Sequence, residues 1–157
     1  KTIEVKIPAG IDDGQRINIR GEGELGYRGS KPGDLYLAIR VKPHAEFKRQ
    51  GFTLQKDLPV SFTQAALGAT IQLATLDGDI ELKIPSGTQS GKIFRVAGRG
   101  VPVIDSNKRG DLFITARVVV PHKLSKEETE LIQKLAELNG ESVEVNKSFW
   151  ENIKDSF

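Results

Sequence analysis

The strongest constraint on the fold of this chain is that part of it is written twice. IEVKIPAGIDDGQRINIRGEGELGYRGSKPGDL, from Ile3 to Leu35, aligns without a gap to IELKIPSGTQSGKIFRVAGRGVPVIDSNKRGDL, from Ile80 to Leu112. Ile3, Lys6, Pro8, Gly10, Gly14, Gly21, Gly23 and Asp34 recur as Ile80, Lys83, Pro85, Gly87, Gly91, Gly98, Gly100 and Asp111. A unit this long that appears only twice is a duplicated domain and not a solenoid array. Any fold must therefore place the same turns and strands in the same order in both copies.

The repeated text has the period of strands. Ile3, Val5 and Ile7 alternate with Glu4 and Lys6, and Ile17 and Ile19 alternate with polar neighbours. Leu35, Leu37, Ile39 and Val41 share one side of the next apolar run, and IQLATL, IELKI, IFRV and DLFITARVVV continue the habit. Such alternation marks half-buried strands with one wet face. PAGIDDG, YRGSKPGD and SNKRGD separate them with residues suited to chain reversal. The second copy also has a lead-in, FTLQKDLPVSFTQAALGATIQLATLDG, read as a strand, a short helix over SFTQAALG, and a hairpin closing at Asp77-Gly78. The first copy begins at Lys1 without an equivalent, so the chain reads as a C-terminal fragment whose first domain lacks part of its sheet.

GEGELG, Gly21 to Gly26, fits the G-x-G-x-x-G spacing of a dinucleotide-binding turn. That chemistry needs a strand before the glycines and a helix opening after them, so that phosphate meets the helix N-terminus. Here the glycines lead into YRGSKPGDLYLAIRV, a loop and another strand, and the second copy reads GRGVPV with Val103 at the third glycine. Gly21/Gly98 and Gly23/Gly100 persist, which assigns them to a bend in the β-framework. Asp34 and Asp111 fill matched turn-to-strand positions and read as caps of local backbone donors instead of catalytic carboxylates. His44 and His122 each follow a proline at matched strand ends and read as solvated or hydrogen-bonded side chains.

A helix follows the β-region. Ser125 and Glu128 make a capping box, Leu131, Ile132, Leu135 and Leu138 fall on one face, and Gly140 ends it. Phe149, Trp150, Ile153 and Phe157 form a second apolar set in the tail. Packing on the chain's own domain competes with a two-fold dimer seam as the use of these faces.

Composition narrows the function. Lys+Arg of 23 against Asp+Glu of 21, with no basic block, gives no electrostatic basis for capturing nucleic acid or an acidic membrane. No Cys and two separated His exclude disulfides and give no zinc centre or thiol nucleophile. No catalytic residue, metal or cofactor is expected. The apolar runs are short and the start has no signal-peptide layout, so a soluble, cytoplasmic protein is expected.

KTIEVKIPAGIDDGQRINIRGEGELG, KPGDLYLAIRVKPHAEFKRQGFTL, PVSFTQAALGATIQLATLDGDIELKIPSGTQSGKIFRVAGRGVP and RGDLFITARVVVPHKLSKEE together resemble the C-terminal region of the DnaJ family of J-domain co-chaperones. The tail from about Asn139 matches loosely, although FWENIKDSF resembles the ends of bacterial members. The resemblance implies an all-β chain: residues 1–43 as a partial first C-terminal β-domain, 44–122 as the second, 123–139 as a dimerisation helix and 140–157 as a tail. Each β-domain is expected to be sandwich-like or barrel-like. In zinc-containing members a cysteine-rich domain interrupts the first β-domain just before the segment that resembles KTIEVKIP, so zinc belongs to that absent domain. The His-Pro-Asp tripeptide of the J-domain and the Gly/Phe-rich linker are also absent from this sequence.

The resemblance further implies a protein-folding role. The family holds exposed apolar segments of unfolded clients, dimerises, and delivers clients to a DnaK-type ATPase. Its client groove on the first β-domain takes an extended peptide as an added strand. Ile3 and Leu37 match positions lining that groove, on strands expected to be neighbours, while Leu131, Ile132, Leu135 and Leu138 match the dimer helix. Core packing is the competing reading of Ile3 and Leu37. The rival function is a structural or glycan-binding tandem β-module.

Overall fold

The computed structural model describes residues 2–27 and 30–144. They form eight strands and two helices. The strands are β1 (Arg16–Ile19), β2 (Leu35–Ala38), β3 (Lys48–Gln50), β4 (Thr53–Ser61), β5 (Ala69–Thr75), β6 (Gly78–Ile84), β7 (Ile93–Val96) and β8 (Leu112–Val119). Helix α1 (Phe62–Leu67) lies between β4 and β5, and α2 (Lys126–Leu138) follows β8. The chain divides into two compact units, residues 1–119 and 120–157. The architecture is all-β with a C-terminal helix.

The central ladder of the duplication is reproduced bond for bond. β1 pairs antiparallel with β2, setting Ile17 opposite Leu37, and β7 pairs with β8, setting Phe94 opposite Ile114, with all four pairs of each ladder in equivalent register. The N–H groups of Gly14 and Ile39 bond the carbonyls of Ile39 and Gln15 at 3.0 and 2.8 Å, and those of Gly91 and Ala116 bond Ala116 and Lys92 at 2.7 and 2.8 Å. The same local text thus closes the same ladder twice.

The second copy has more around that ladder. β8 lies between β7 and β4 in a four-stranded sheet of order β3-β4-β8-β7, and the β4–β8 pairing is parallel, with Leu54 opposite Leu112 and Leu58 opposite Ala116. β5 and β6 form a separate hairpin. Its two turn residues are Leu76 and Asp77, and Gly78, with φ of 100°, already starts β6. The turn thus sits one residue earlier than Asp77-Gly78, because a glycine following two residues with negative φ closes a bulged hairpin. Helix α1 is capped by Ser61, with its Gln64 side chain bonded back to the Ser61 N–H, as the short helix over SFTQAALG requires.

The core draws on both sheets. Leu54, Leu58 and Val60 of β4, Leu73 of β5, Leu82 and Ile84 of β6, and Leu112, Ile114 and Ala116 of β8 form one buried cluster with Phe47, Ala65 and Val101. Every one of these residues follows position 43. Among the described residues before it, none is fully buried.

The expected strand across Ile3–Ile7 is not a strand here, although its repeat equivalent, residues 80–84, lies within β6. Burial alternates only as far as Lys6, with Ile3 and Val5 half-buried and Glu4 and Lys6 exposed, whereas Ile7 is 59% exposed. Strand pairing requires a partner for the backbone donors and acceptors. β6 finds one in β5, whereas no strand pairs with residues 3–7 among the described residues.

Candidate functional site

Leu37 lies on β2, its side chain on the same face as Leu35 and Ile39, and all three are half-buried. Their equivalents on β8 are Leu112, Ile114 and Ala116, each 0% exposed. The difference is β4. In the second copy β4 pairs with the free side of β8 and contributes Leu54, Leu58 and Val60 to the core, whereas β2 has β1 on one side and no strand on the other among the described residues. Among the described residues, one apolar pattern is thus fully buried in the second repeat and half-buried in the first, where β1 is the only strand paired with β2.

Ile3 lies outside the β1–β2 ladder, and Ile3 and Leu37 are not on neighbouring strands. The equivalents of the two residues, Ile80 on β6 and Ile114 on β8, belong to different sheets that meet through the core cluster. The expected adjacency is not reproduced among the described residues, since Ile3 lies in none of the strands and its equivalent Ile80 belongs to β6, which spends its hydrogen bonds on β5.

The framework around this face explains the glycines. Asp34 accepts the Gly21 N–H at 3.1 Å and the Asn18 amide at 3.1 Å, and Asp111 accepts the Gly98 N–H at 2.9 Å and the Arg95 guanidinium at 2.7 Å. Both carboxylates are local caps. The Gly98 N–H, and after it Arg95, holds the Asp111 carboxyl below the usual carboxylate range. A side chain at Gly23 would meet the Asp34 carbonyl at 2.6 Å, and one at Gly100 would meet the Phe52 carbonyl at 2.5 Å. These glycines let one backbone approach another, and among the described residues the next named element after Gly26 is β2, with no α-helix opening at the glycines.

His44 is used locally as well. Its Nδ1 accepts the N–H groups of Glu46 and Phe47 at 3.1 and 3.4 Å, and its ring lies 5.1 Å from that of Phe47. His122 is exposed. The second copy carries an open cleft of about 730 Å³ lined by β3, β4, β5 and β8. Two of its cations are engaged, Lys56 with Glu46 and Arg117 with Asp57. Lys56 is also the main cause of the lowered Glu46 pKa. Sequence reading missed this cleft, since its lining comes from four strands far apart in the chain.

Helix α2 carries its expected ends. Ser125 accepts the Glu128 N–H at 3.2 Å, and the Glu128 carboxylate accepts the Ser125 N–H at 2.7 Å. At the other end the N–H groups of Gly140 and Glu141 reach the carbonyls of Glu137 and Ala136 at 3.1 and 2.9 Å, a complete Schellman pair. Its apolar stripe is open, with Leu131 69%, Ile132 43%, Leu135 40% and Leu138 78% exposed. Phe149, Trp150, Ile153 and Phe157 lie outside the described residues.

Two repeated β-units with conserved register, followed by a helix with an open apolar stripe, meet their counterparts in known proteins. The family model described as the DnaJ C terminal domain matches residues 1–121. The chain belongs to the DnaJ C-terminal domain family. Relatives carrying the name Chaperone protein DnaJ include that of Methanothermobacter thermautotrophicus, 47% identical over 99% of this chain and 41% of the relative. Those of Ruminiclostridium cellulolyticum and Acetivibrio thermocellus are each 46% identical, over 100% and 98% of this chain and 42% and 40% of their own lengths. The chain thus spans about two fifths of the DnaJ relatives it matches. Among the described residues no helix is long and apolar enough to cross a membrane.

Proposed function

We propose that this chain is the client-holding and dimer-forming part of a DnaJ-type co-chaperone, taking exposed apolar segments of non-native proteins on its first repeat and passing them to a DnaK-type ATPase. The observation that carries the reading is the apolar face of Leu35, Leu37 and Ile39, half-buried among the described residues. An extended peptide suits such a face because its backbone satisfies the open edge of β2 while its apolar side chains replace water against Leu37. Main-chain bonding supplies affinity without demanding one sequence. Ile3 is assigned the second wall.

Dimerisation through Leu131, Ile132, Leu135 and Leu138 completes the reading. Each large side chain fully withdrawn from water contributes about 1.5–3 kcal/mol, and two client faces on one scaffold raise the effective concentration for a long client. The reading assigns no cofactor and no chemical step to these residues. The names of the relatives favour it over a structural or glycan-binding module.

The test is a fluorescence-anisotropy titration of a labelled apolar peptide against the wild-type protein and a Leu37→Ser variant whose circular dichroism matches wild type. Saturable binding that the variant loses is the expected result. Equal binding by both proteins, or by neither, would overturn the assignment to this face.

A further inference from the structure

The two repeats are joined by more than the chain between them. Arg49 stands on β3 opposite Leu54, and directly opposed residues of an antiparallel pair share a face, so its stem runs along the margin of the second repeat's core. Its guanidinium then leaves that repeat. Nε donates to the Gly51 carbonyl at 2.8 Å within the β3–β4 turn, while Nη1 donates to the Ile11 carbonyl and Nη2 to the Gly10 carbonyl, both at 2.8 Å. Those last two acceptors belong to the first repeat. The side chain is only 21% exposed, and its ion pair with Asp12 is looser, at 3.6 Å.

The same turn is held from a second direction. Gly10 has φ of 90°, and a Cβ built there would lie 2.0 Å from the Pro102 carbonyl oxygen of the second repeat. Backbone meets backbone at this point, in a conformation that only glycine adopts freely. The equivalent glycine, Gly87, has nothing within 4 Å of its Cβ direction. Its N–H bonds the Ala66 carbonyl of α1 instead. The seat against Arg49 and Pro102 is therefore a property of the junction and not of the repeated text.

We propose that Arg49 is the positioning residue of this protein: its fork grips the Gly10–Ile11 turn and seats it against Pro102, so that the two repeats move as one rigid body. The geometry depends on the shape of the guanidinium. Three donors in one plane reach three carbonyls at once, which a lysine ammonium on a flexible stem cannot reproduce. Charge alone is secondary, because the carboxylate partner lies beyond hydrogen-bond distance while the neutral carbonyls lie within it. This inference goes beyond the client-binding reading and does not depend on it, although a fixed joint would hold the Leu37 face in a constant orientation.

The absence of native Cys lets the joint be measured directly. Spin labels at Arg16→Cys on β1 and Lys83→Cys on β6 report the distance between repeats by pulsed electron resonance. One narrow distance distribution is expected for otherwise native protein. It should broaden in Arg49→Ala and in Arg49→Lys but stay narrow in Asp12→Asn, with the far-ultraviolet dichroism of all three unchanged. A distribution as narrow in Arg49→Ala as in the native background would overturn the proposal, as would rescue by lysine. If Arg49→Ala fails to fold, Gly10→Ala decides from the other side of the joint: broadening with both repeats folded supports the proposal, and an unchanged width refutes it. Peptide binding measured on the same variants separates this joint from the client reading, since the distances respond whether or not the Leu37 face takes peptide.

Discussion

Leu37 and Ile114 occupy the same place in the two repeats, facing Ile17 and Phe94 across identical ladders, yet only Ile114 is fully buried. Truncating both to alanine therefore measures what the open face is worth. Ile114→Ala removes apolar groups from a closed core and leaves a cavity, a change that costs about 2–5 kcal/mol. Leu37→Ala leaves no closed cavity, and half of the roughly 1.5–3 kcal/mol for burying a leucine is about 1 kcal/mol. Urea unfolding followed by circular dichroism separates them. With a slope near 2 kcal/mol per molar, within the range of about 1–3 for small proteins, the midpoint should fall by roughly 1–2.5 M for Ile114→Ala and by about 0.5 M for Leu37→Ala. Peptide binding should follow the reverse order, lost in the Leu37 variant and kept by the Ile114 variant wherever it is still folded. Equal midpoint shifts would refute the argument, since Leu37 would then be sealed as deeply as Ile114.

Three further outcomes are expected. A Leu131→Glu/Leu135→Glu double variant should sediment as a monomer while retaining helix α2, and should weaken capture of long clients more than of short peptides; a dimeric variant would put the seam elsewhere. Gly33 and Gly110 are repeat equivalents with different surroundings, the first with nothing nearer than 3.9 Å and the second 1.9 Å from the Phe52 carbonyl in the direction of a Cβ. Gly110→Ala should thus cost about 1–3 kcal/mol in thermal or urea unfolding, against a change within about 0.5 kcal/mol for Gly33→Ala. Ser125→Ala should cost about 1 kcal/mol of helix stability. The Ser125 N–H, and after it the Ser125 hydroxyl, lowers the pKa of Glu128 from its ordinary 4.5. A carboxyl whose folded pKa is depressed stabilises fully above its unfolded value and loses that contribution as pH falls through the folded one. Dichroism of α2 from pH 7 down to 3 should therefore show acid-induced loss in wild type and a shallower response in Ser125→Ala.

What the sequence determined by itself is whatever local text can close. The repeat from Ile3 to Leu35 and from Ile80 to Leu112 dictated two ladders of one register and the Asp34 and Asp111 caps. Ser61 and Ser125 with their glutamine and glutamate partners fixed two helix starts. Each of these rests on hydrogen bonds between residues close in sequence or within one hairpin-like unit, where backbone geometry and side-chain chemistry suffice. What only the tertiary structure decided is burial and joining. Leu37 and Ile114 carry the same pattern, and the parallel pairing of β4 with β8, across an intervening helix and three strands, made one of them core and left the other half-open. Residues 3–7 have the alternation of a strand but pair with no strand among the described residues, and Arg49, an ordinary cation in the text, became a joint because the turn at Gly10 came to rest against it. Burial and joining depend on surfaces brought together from distant parts of the chain, which no local repeat can encode.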